Sequence, residues 1–296
     1  MADVAWLFPG QGSQRVGMGR ALAASSPTAA NVFGAVDEAL GFPLSEIIFN
    51  GPEDELVATR NQQPALLAVS VAYARVLQER GLLPDPVCLA GHSLGEYSAL
   101  VVGGALDLAD AARLVRRRGE LMEAAGLGGM IAVIGLDEPK LAAIASATGV
   151  TIANDNAPGQ ITLSGRAEAL TAAAERAREA GARRVIPLAV NAAFHSPLMA
   201  PVVEGLRPLL AGMRLAAPRA PLIADVDAAL LLDPEDLRRE LLAQITASVR
   251  WVGVVRRAVA LGAGVFYELG PGKVLSGLVR RIAPDAETRT AEELLG

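Results

Sequence analysis

A serine flanked by two glycines, Gly91-His92-Ser93-Leu94-Gly95, follows an apolar run at 87–90 and precedes a helix-compatible run at 96–100. Strand, sharp turn and helix in that order make a nucleophile elbow. In an elbow, Gly91 and Gly95 remove the Cβ atoms that would collide where strand and helix meet. The helix start aims free N–H groups and its positive dipole end at charge forming near Ser93. A serine hydroxyl needs a base at neutral pH, and the chain has two histidines, His92 and His195. His92 adjoins Ser93, so its side chain leaves the elbow in another direction, and His195 remains as the base. Pro9-Gly10-Gln11-Gly12-Ser13-Gln14 follows an apolar run at 4–8. Its glycine spacing does not fit a dinucleotide fingerprint. It reads instead as a loop donating hydrogen bonds to an oxyanion, with Gln11 central. Arg116-Arg117-Arg118 project from one helix about 100° apart. Either the run is a solvated face, or one arginine turns inward to hold a carboxylate with its planar fork.

Regular elements must bring these groups together. The run at 4–8 reads as a buried strand and 27–40 as a helix. Asn61-Gln62-Gln63-Pro64 opens a helix over 65–77, apolar on most sides and therefore central. Gln63 at its start either faces the site or caps the helix in solvent. Asp107 caps a helix over 108–124. Gly126-Leu127-Gly128-Gly129 is a break, and the pattern then changes. Strands at 130–136, 150–154, 160–164 and 184–190 alternate with helices at 139–148 and 167–180, and the middle two strands are joined by a loop at 155–159. This βαββαβ order is the ferredoxin-like pattern, in an insertion of about 60 residues able to wall a cleft over Ser93. The chain returns through Asn191-Ala192-Ala193-Phe194-His195-Ser196-Pro197, where a loop can deliver His195 to the cleft. Beyond it, 198–213 is helical, 222–226 a strand, 234–246 a helix with Gln244 near its end, and 265–269 a strand. Gly270-Pro271-Gly272-Lys273 and a helix to 282 follow. That Gly-Pro-Gly-Lys is no P-loop, because Val274 stands where Ser or Thr is needed.

With 296 residues, 52% hydrophobic, the chain can bury a full core. A net charge of −5 leaves no general basic footprint for nucleic acid. Cys88 is the only cysteine, so it forms no intrachain disulfide and is expected to pack in the core. The start Met1-Ala2-Asp3-Val4 lacks the basic region of a signal peptide, and no uncharged apolar run reaches membrane-spanning length. A soluble, cytoplasmic, monomeric protein without nucleic-acid or membrane partners is expected.

Six ordered segments carry a family likeness: 8–14, 91–96, Arg118-Gly119, 153–160, 193–197 and 268–275. Together they make the chain resemble the malonyl-CoA:acyl carrier protein transacylases of bacterial fatty-acid synthesis. The resemblance implies ping-pong malonyl transfer from malonyl-CoA to a holo acyl carrier protein, with no cofactor and no metal. Ser93 would be the nucleophile and His195 the base. The backbone N–H groups of Gln11 and Leu94 would form the oxyanion hole. Arg118 would pair with the malonyl carboxylate, and the Gln244 carbonyl would orient His195. Gln63, Phe194, His92 and Asn156 would lie around the substrate, with no proton-transfer role for His92 and with Phe194 filling the space of an α-methyl group. Asp225 stands where the family usually has Asn, and Ala189 and Asn191 also vary; none is expected to touch a catalytic position. Arg116, Arg117, Lys273, Arg280 and Arg281 are candidates to meet an acidic carrier. The expected fold is α/β. An α/β-hydrolase-like core with a parallel sheet and nucleophile elbow, 1–125 and 191–296, carries a ferredoxin-like subdomain at 126–190.

Other functions fit parts of the pattern. An α/β-hydrolase would place an acidic residue between the serine and a late histidine, whereas about a hundred residues without histidine follow His195. An acyltransferase loading a polyketide carrier, or serving a malonate decarboxylase, would share this chemistry. A non-catalytic scaffold would leave the filled catalytic positions unexplained.

Overall fold

The computed structural model describes residues 3–126, 128–190 and 192–296. Leu127 of the glycine-rich break, Asn191 at the return and the first two residues lie outside them. The strands are β1 (Asp3–Phe8), β2 (Cys88–Gly91), β3 (Gly129–Ile134), β4 (Thr151–Ala157), β5 (Gln160–Gly165), β6 (Arg184–Pro187), β7 (Leu222–Ile223), β8 (Leu230–Leu231), β9 (Ala263–Glu268) and β10 (Glu287–Thr290).

Two sheets divide them. The larger has the order β10-β9-β1-β2-β7-β8 and is parallel except for β8, which runs antiparallel to β7. β1 and β2 are apolar almost throughout because both sheet faces are covered. Trp6, Phe8 and Leu89 join one core cluster, while Ala5, Leu7, Cys88 and Ala90 join another, the alternation a strand imposes. The helix Thr59–Glu79 lies in the first cluster and packs against the helices Pro27–Leu40 and Leu108–Ala125.

The smaller sheet has the order β4-β5-β3-β6 and is antiparallel throughout. The helices Glu138–Thr148 and Ala167–Glu179 pack against it around Ile131, Val133, Leu141, Leu163 and Leu170. Its β4 is fastened to the larger part. The Asp155 N–H donates to the Val249 carbonyl at 2.9 Å, and the Val249 N–H to the Ala153 carbonyl at 2.9 Å.

Several boundaries differ from the sequence reading. The central helix starts at Thr59, so Pro64 sits inside it rather than at its opening. The Arg60 carbonyl, which the missing Pro64 N–H leaves free, is met by an Arg116 guanidinium nitrogen at 3.4 Å. Asn156 lies on β4, not in the joining loop. The strand expected at 222–226 stops at Ile223: the Ala224 N–H turns back to the Ala229 carbonyl, and after it side chains take the backbone donors, Asp225 N–H bonding Glu96 and Val226 N–H bonding Glu240. β6 ends at Pro187 instead of 190. Unforeseen are the helices Arg20–Ser25, Leu44–Asn50, Glu53–Val57 and Trp251–Ala260 and the short pieces β8, β10 and Ala291–Leu295.

At the elbow a Cβ on Gly91 would stand 2.0 Å from the Gly95 carbonyl carbon, and one on Gly95 2.0 Å from the Phe8 carbonyl oxygen. Neither neighbour is a side chain that could swing away. Gly95→Ala is therefore expected to cost at least about 3 kcal/mol by prising β1 from the elbow. Gly34→Ala, on a helix with open space around it, should be neutral or stabilising by up to about 1 kcal/mol. Urea unfolding of both variants checks the contrast.

Candidate active site

Ser93 occupies the turn from β2 into the helix Gly95–Val102, with φ of 52°. His195 also has a positive φ, 55°, in the turn before the short 3-10 helix Pro197–Met199. Both are strained positions for residues bearing a Cβ. They meet with His195 Nε2 and Ser93 Oγ 2.8 Å apart. His195 Nδ1 faces two acceptors, the carbonyls of Gln244 at 2.8 Å and Ala247 at 3.2 Å. Nδ1 therefore carries the hydrogen and Nε2 is left bare toward the hydroxyl. Burial, reinforced by the Arg118 charge, pushes the His195 pKa down to about 3. The imidazole is thus neutral and able to accept a proton at physiological pH.

Arg118 is the arginine that turns inward, and it is fully buried. Its guanidinium donates to Gln63 Oε1 at 2.9 Å, Gln244 Oε1 at 2.9 Å and Ser93 Oγ at 3.0 Å. Its Nε has no partner, and the Tyr97 ring lies 5.5 Å from its Cζ. Among the described residues no carboxylate forms a salt bridge with it. A buried cation held by neutral amides beside a nucleophile can bind an anion. Arg116 and Arg117 both pair with Glu120. Gln63 faces the site from within the helix and donates to Met122 Sδ at 3.4 Å.

The oxyanion-hole candidates are Leu94, which follows Ser93 in the chain, and Gln11, in the loop after β1. Among the described residues the N–H groups of Gln11 and Leu94 have no acceptor. The Gln11 side chain is tied back to Gln62. His92 Nε2 lies 2.8 Å from Asn156 Oδ1, its ring packs against Trp251, and desolvation lowers its pKa. His92 and Asn156 therefore couple the elbow to β4. Phe194 is buried beside His195 and lines a cleft of about 790 Å³ with Gln11, Arg60, Gln62 and Ala192.

One sequence expectation fails here. Asp225 does touch the nucleophile: its Oδ2 accepts the Ser93 backbone N–H at 2.6 Å. The chain leaves β7 at this point and passes directly beneath the elbow. Glu96, fully buried, takes the Asp225 N–H on Oε1 at 2.9 Å and Gln244 Nε2 on Oε2 at 2.7 Å. Burial and the neighbouring Glu240 raise the pKa values of Glu96 and Asp225, and burial with the nearby Asp227 charge pushes Glu240 up to about 7. Sequence reasoning missed the roles of Asp225, Glu96 and Glu240. The available signal was Glu96 itself, an acidic residue in the first turn of an otherwise apolar helix.

The acyl transferase domain model matches residues 5–296. The chain belongs to the acyl transferase family. Within that family it is similar to the Malonyl CoA-acyl carrier protein transacylase of Bacillus subtilis, 43% identical over 95% of this chain and 91% of that one. An acyl-carrier-protein-S-malonyltransferase structure from Bartonella henselae superposes with a TM-score of 0.96 at 44% identity, covering 99% of this chain and 97% of that one. A malonyl-transacylase in complex with its type II PKS acyl-carrier protein superposes with a TM-score of 0.96 at 39% identity, covering 99% and 98%. Among the described residues of this acyl transferase no cluster of His, Cys, Asp and Glu could hold a metal, and no helix is long and apolar enough to cross a membrane.

Proposed function

We propose that this acyl transferase moves a malonyl group from malonyl-CoA to the phosphopantetheine thiol of a holo acyl carrier protein, by way of a malonyl ester on Ser93. The observation that carries the reading is Arg118, a fully buried guanidinium 3.0 Å from the Ser93 hydroxyl. A hydrolase of neutral esters has no use for such a cation. A substrate with a second, non-reacting carboxylate does.

His195 Nε2 takes the Ser93 proton as Oγ attacks the thioester carbonyl. The Nδ1–H stays on the Gln244 carbonyl, which fixes the tautomer as a neutral stand-in for a triad acid. The Gln11 and Leu94 N–H groups take the oxyanion, each worth about 3 kcal/mol by analogy with known holes. The tetrahedral intermediate expels the CoA thiolate, which leaves with the imidazolium proton. The carrier thiol then gives its proton to His195, attacks the acyl-serine and regenerates Ser93. Arg118 moves from Ser93 Oγ onto the malonyl carboxylate and holds the ester in position. Phe194 crowds the α-carbon and disfavours a methyl branch. The site calls for no cofactor.

Strand order and helix placement support an α/β-hydrolase-like large part, 1–125 and 191–296, with a ferredoxin-like insertion at 126–190. A cytoplasmic monomer serving fatty-acid synthesis fits the composition. The relative seen with a type II PKS carrier favours, as a second reading, service to a polyketide carrier.

Lys273, Arg280 and Arg281 lie on the exposed face of the helix region Val274–Ile282. Arg280 bonds Thr288, and Arg281 bonds the Pro158 carbonyl and Gln160. As a carrier surface they predict that Arg280→Glu with Arg281→Glu lowers carrier kcat/KM at least tenfold and leaves acylation by malonyl-CoA unchanged. Unchanged carrier kinetics would remove this surface.

The test of the function is intact mass after incubation with malonyl-CoA. One malonyl adduct, discharged by holo carrier protein, is the expected result. Steady CoA release without an adduct and without carrier would mean hydrolysis. A carrier panel, fatty-acid against polyketide, decides the pathway.

A further inference from the structure

We infer that Glu96 is a positioning residue for acyl-group selection, acting on Arg118 through the side-chain amide of Gln244. The inference rests on the malonyl-transfer reading of this site. Gln244 serves the site at two places. Its backbone carbonyl holds His195 Nδ1 at 2.8 Å. Its side-chain Oε1 accepts from Arg118 at 2.9 Å, while its Nε2 donates to Glu96 Oε2 at 2.7 Å and to the Ser93 carbonyl at 3.2 Å.

An amide has one accepting end and one donating end. Turned by half a rotation, Gln244 would set its NH2 against the Arg118 guanidinium and its oxygen against the Glu96 carboxyl and the Ser93 carbonyl. Glu96 opposes that rotation because it presents acceptors on both sides, one to the Asp225 N–H and one to Gln244. Glutamine at position 96 would keep the shape but not the pattern. With its oxygen on the Asp225 N–H, its NH2 faces the Gln244 NH2. With the amide reversed, the Asp225 N–H faces an NH2. Glu96 and Gln244 are both fully buried, so water cannot repair the mismatch. The Gln244 amide is released, and Arg118 loses one of the acceptors that fix its fork. The Ser93–His195 pair is held by other bonds, His195 by backbone carbonyls. The loss therefore falls on acyl groups bearing a carboxylate.

The test measures kcat and KM for malonyl-CoA and acetyl-CoA with a thiol acceptor, in wild type, Glu96→Gln, Gln244→Ala and the double variant. Expected for Glu96→Gln is a fall of at least tenfold in malonyl-over-acetyl preference, carried mainly by a raised KM for malonyl-CoA. Gln244→Ala should lose preference similarly, and the double variant should be no worse than Gln244→Ala, since both residues act through one link. Equal losses for the two donors, or an unchanged preference, would overturn the inference. If Glu96→Gln does not fold, an unchanged preference in Gln244→Ala overturns it as well. A wild-type protein that accepts no malonyl group overturns the malonyl reading itself and the inference with it, and so is told apart from a failure of Glu96 alone.

Discussion

Replacing His195 by alanine lowers the rate of Ser93 acylation by malonyl-CoA by about 10⁴- to 10⁶-fold, and Ser93→Ala yields no adduct at all. Rapid-quench mass measurement reads both. The size follows from the geometry. Ser93 Oγ has one acceptor for its proton, His195 Nε2 at 2.8 Å, and one donor, Arg118. Without the imidazole the hydroxyl keeps its proton, and the neighbouring guanidinium cannot receive it. The same pair sets the pH response. A histidine whose pKa is lowered to about 3 is unprotonated, and so active as a base, everywhere above that value. Its activity is lost only as pH falls through it. The profile of kcat/KM for malonyl-CoA should be flat from pH 8 to pH 5, without the inflection near 6.5 of an ordinary histidine. An inflection there would show that the imidazole is not sheltered as the structure has it.

Arg118→Ala is the second large effect. Removing one partner from a buried charge pair costs several kcal/mol. A loss of about 4 kcal/mol corresponds to roughly 10³-fold in kcat/KM for malonyl-CoA. Acetyl-CoA, which offers no carboxylate, should be handled within about tenfold of wild type. The substitution thereby turns a malonyl-selective enzyme into a slow, unselective one. The pH profile provides a second readout. Arg118 is one cause of the depressed His195 pKa, so its removal raises that pKa, and activity is lost at a higher pH on acidification than in wild type. Equal losses for the two donors would assign Arg118 to the fold rather than to the acyl group.

What the sequence discloses about this site is local. Gly91, Ser93 and Gly95 announce the elbow because a steric rule ties their spacing to one backbone shape. His195 follows because the alternative histidine adjoins the serine. Helical geometry narrowed the inward arginine only to one of three and the family resemblance singled out Arg118; the packing shows why, since Arg116 and Arg117 share Glu120 and Arg118 is left to Gln63 and Gln244. Glu96 alone of the acids beneath the elbow left a signal in the sequence, and its meeting with the other two did not. Glu96, Asp225 and Glu240 are distant in sequence and meet only because the chain leaves β7 early. The two residues of β8 carry too little alternation to register, and β10, Glu287-Thr288-Arg289-Thr290, has no apolar residue to mark it. Pro64 misled by marking a helix start, when the orphaned Arg60 carbonyl had found an arginine instead.

The strand order has a consequence for how the protein comes into being. β1 is hydrogen-bonded to β2 on one side and to β9 on the other. On a ribosome, Cys88–Gly91 follows β1 by about eighty residues, but Ala263–Glu268 follows it by about 255. Until then β1 is an edge of apolar residues unpaired on one side, and the His195 loop, once made, waits a further 49 residues for the Gln244 carbonyl that holds it. Non-local parallel pairing of this kind makes for slow, late closure. Ser93 therefore acquires its reactivity only after Gln244 has been made and its carbonyl has taken the His195 ring. A chain that stalls before Gln244 lacks the carbonyl that holds the His195 ring toward Ser93.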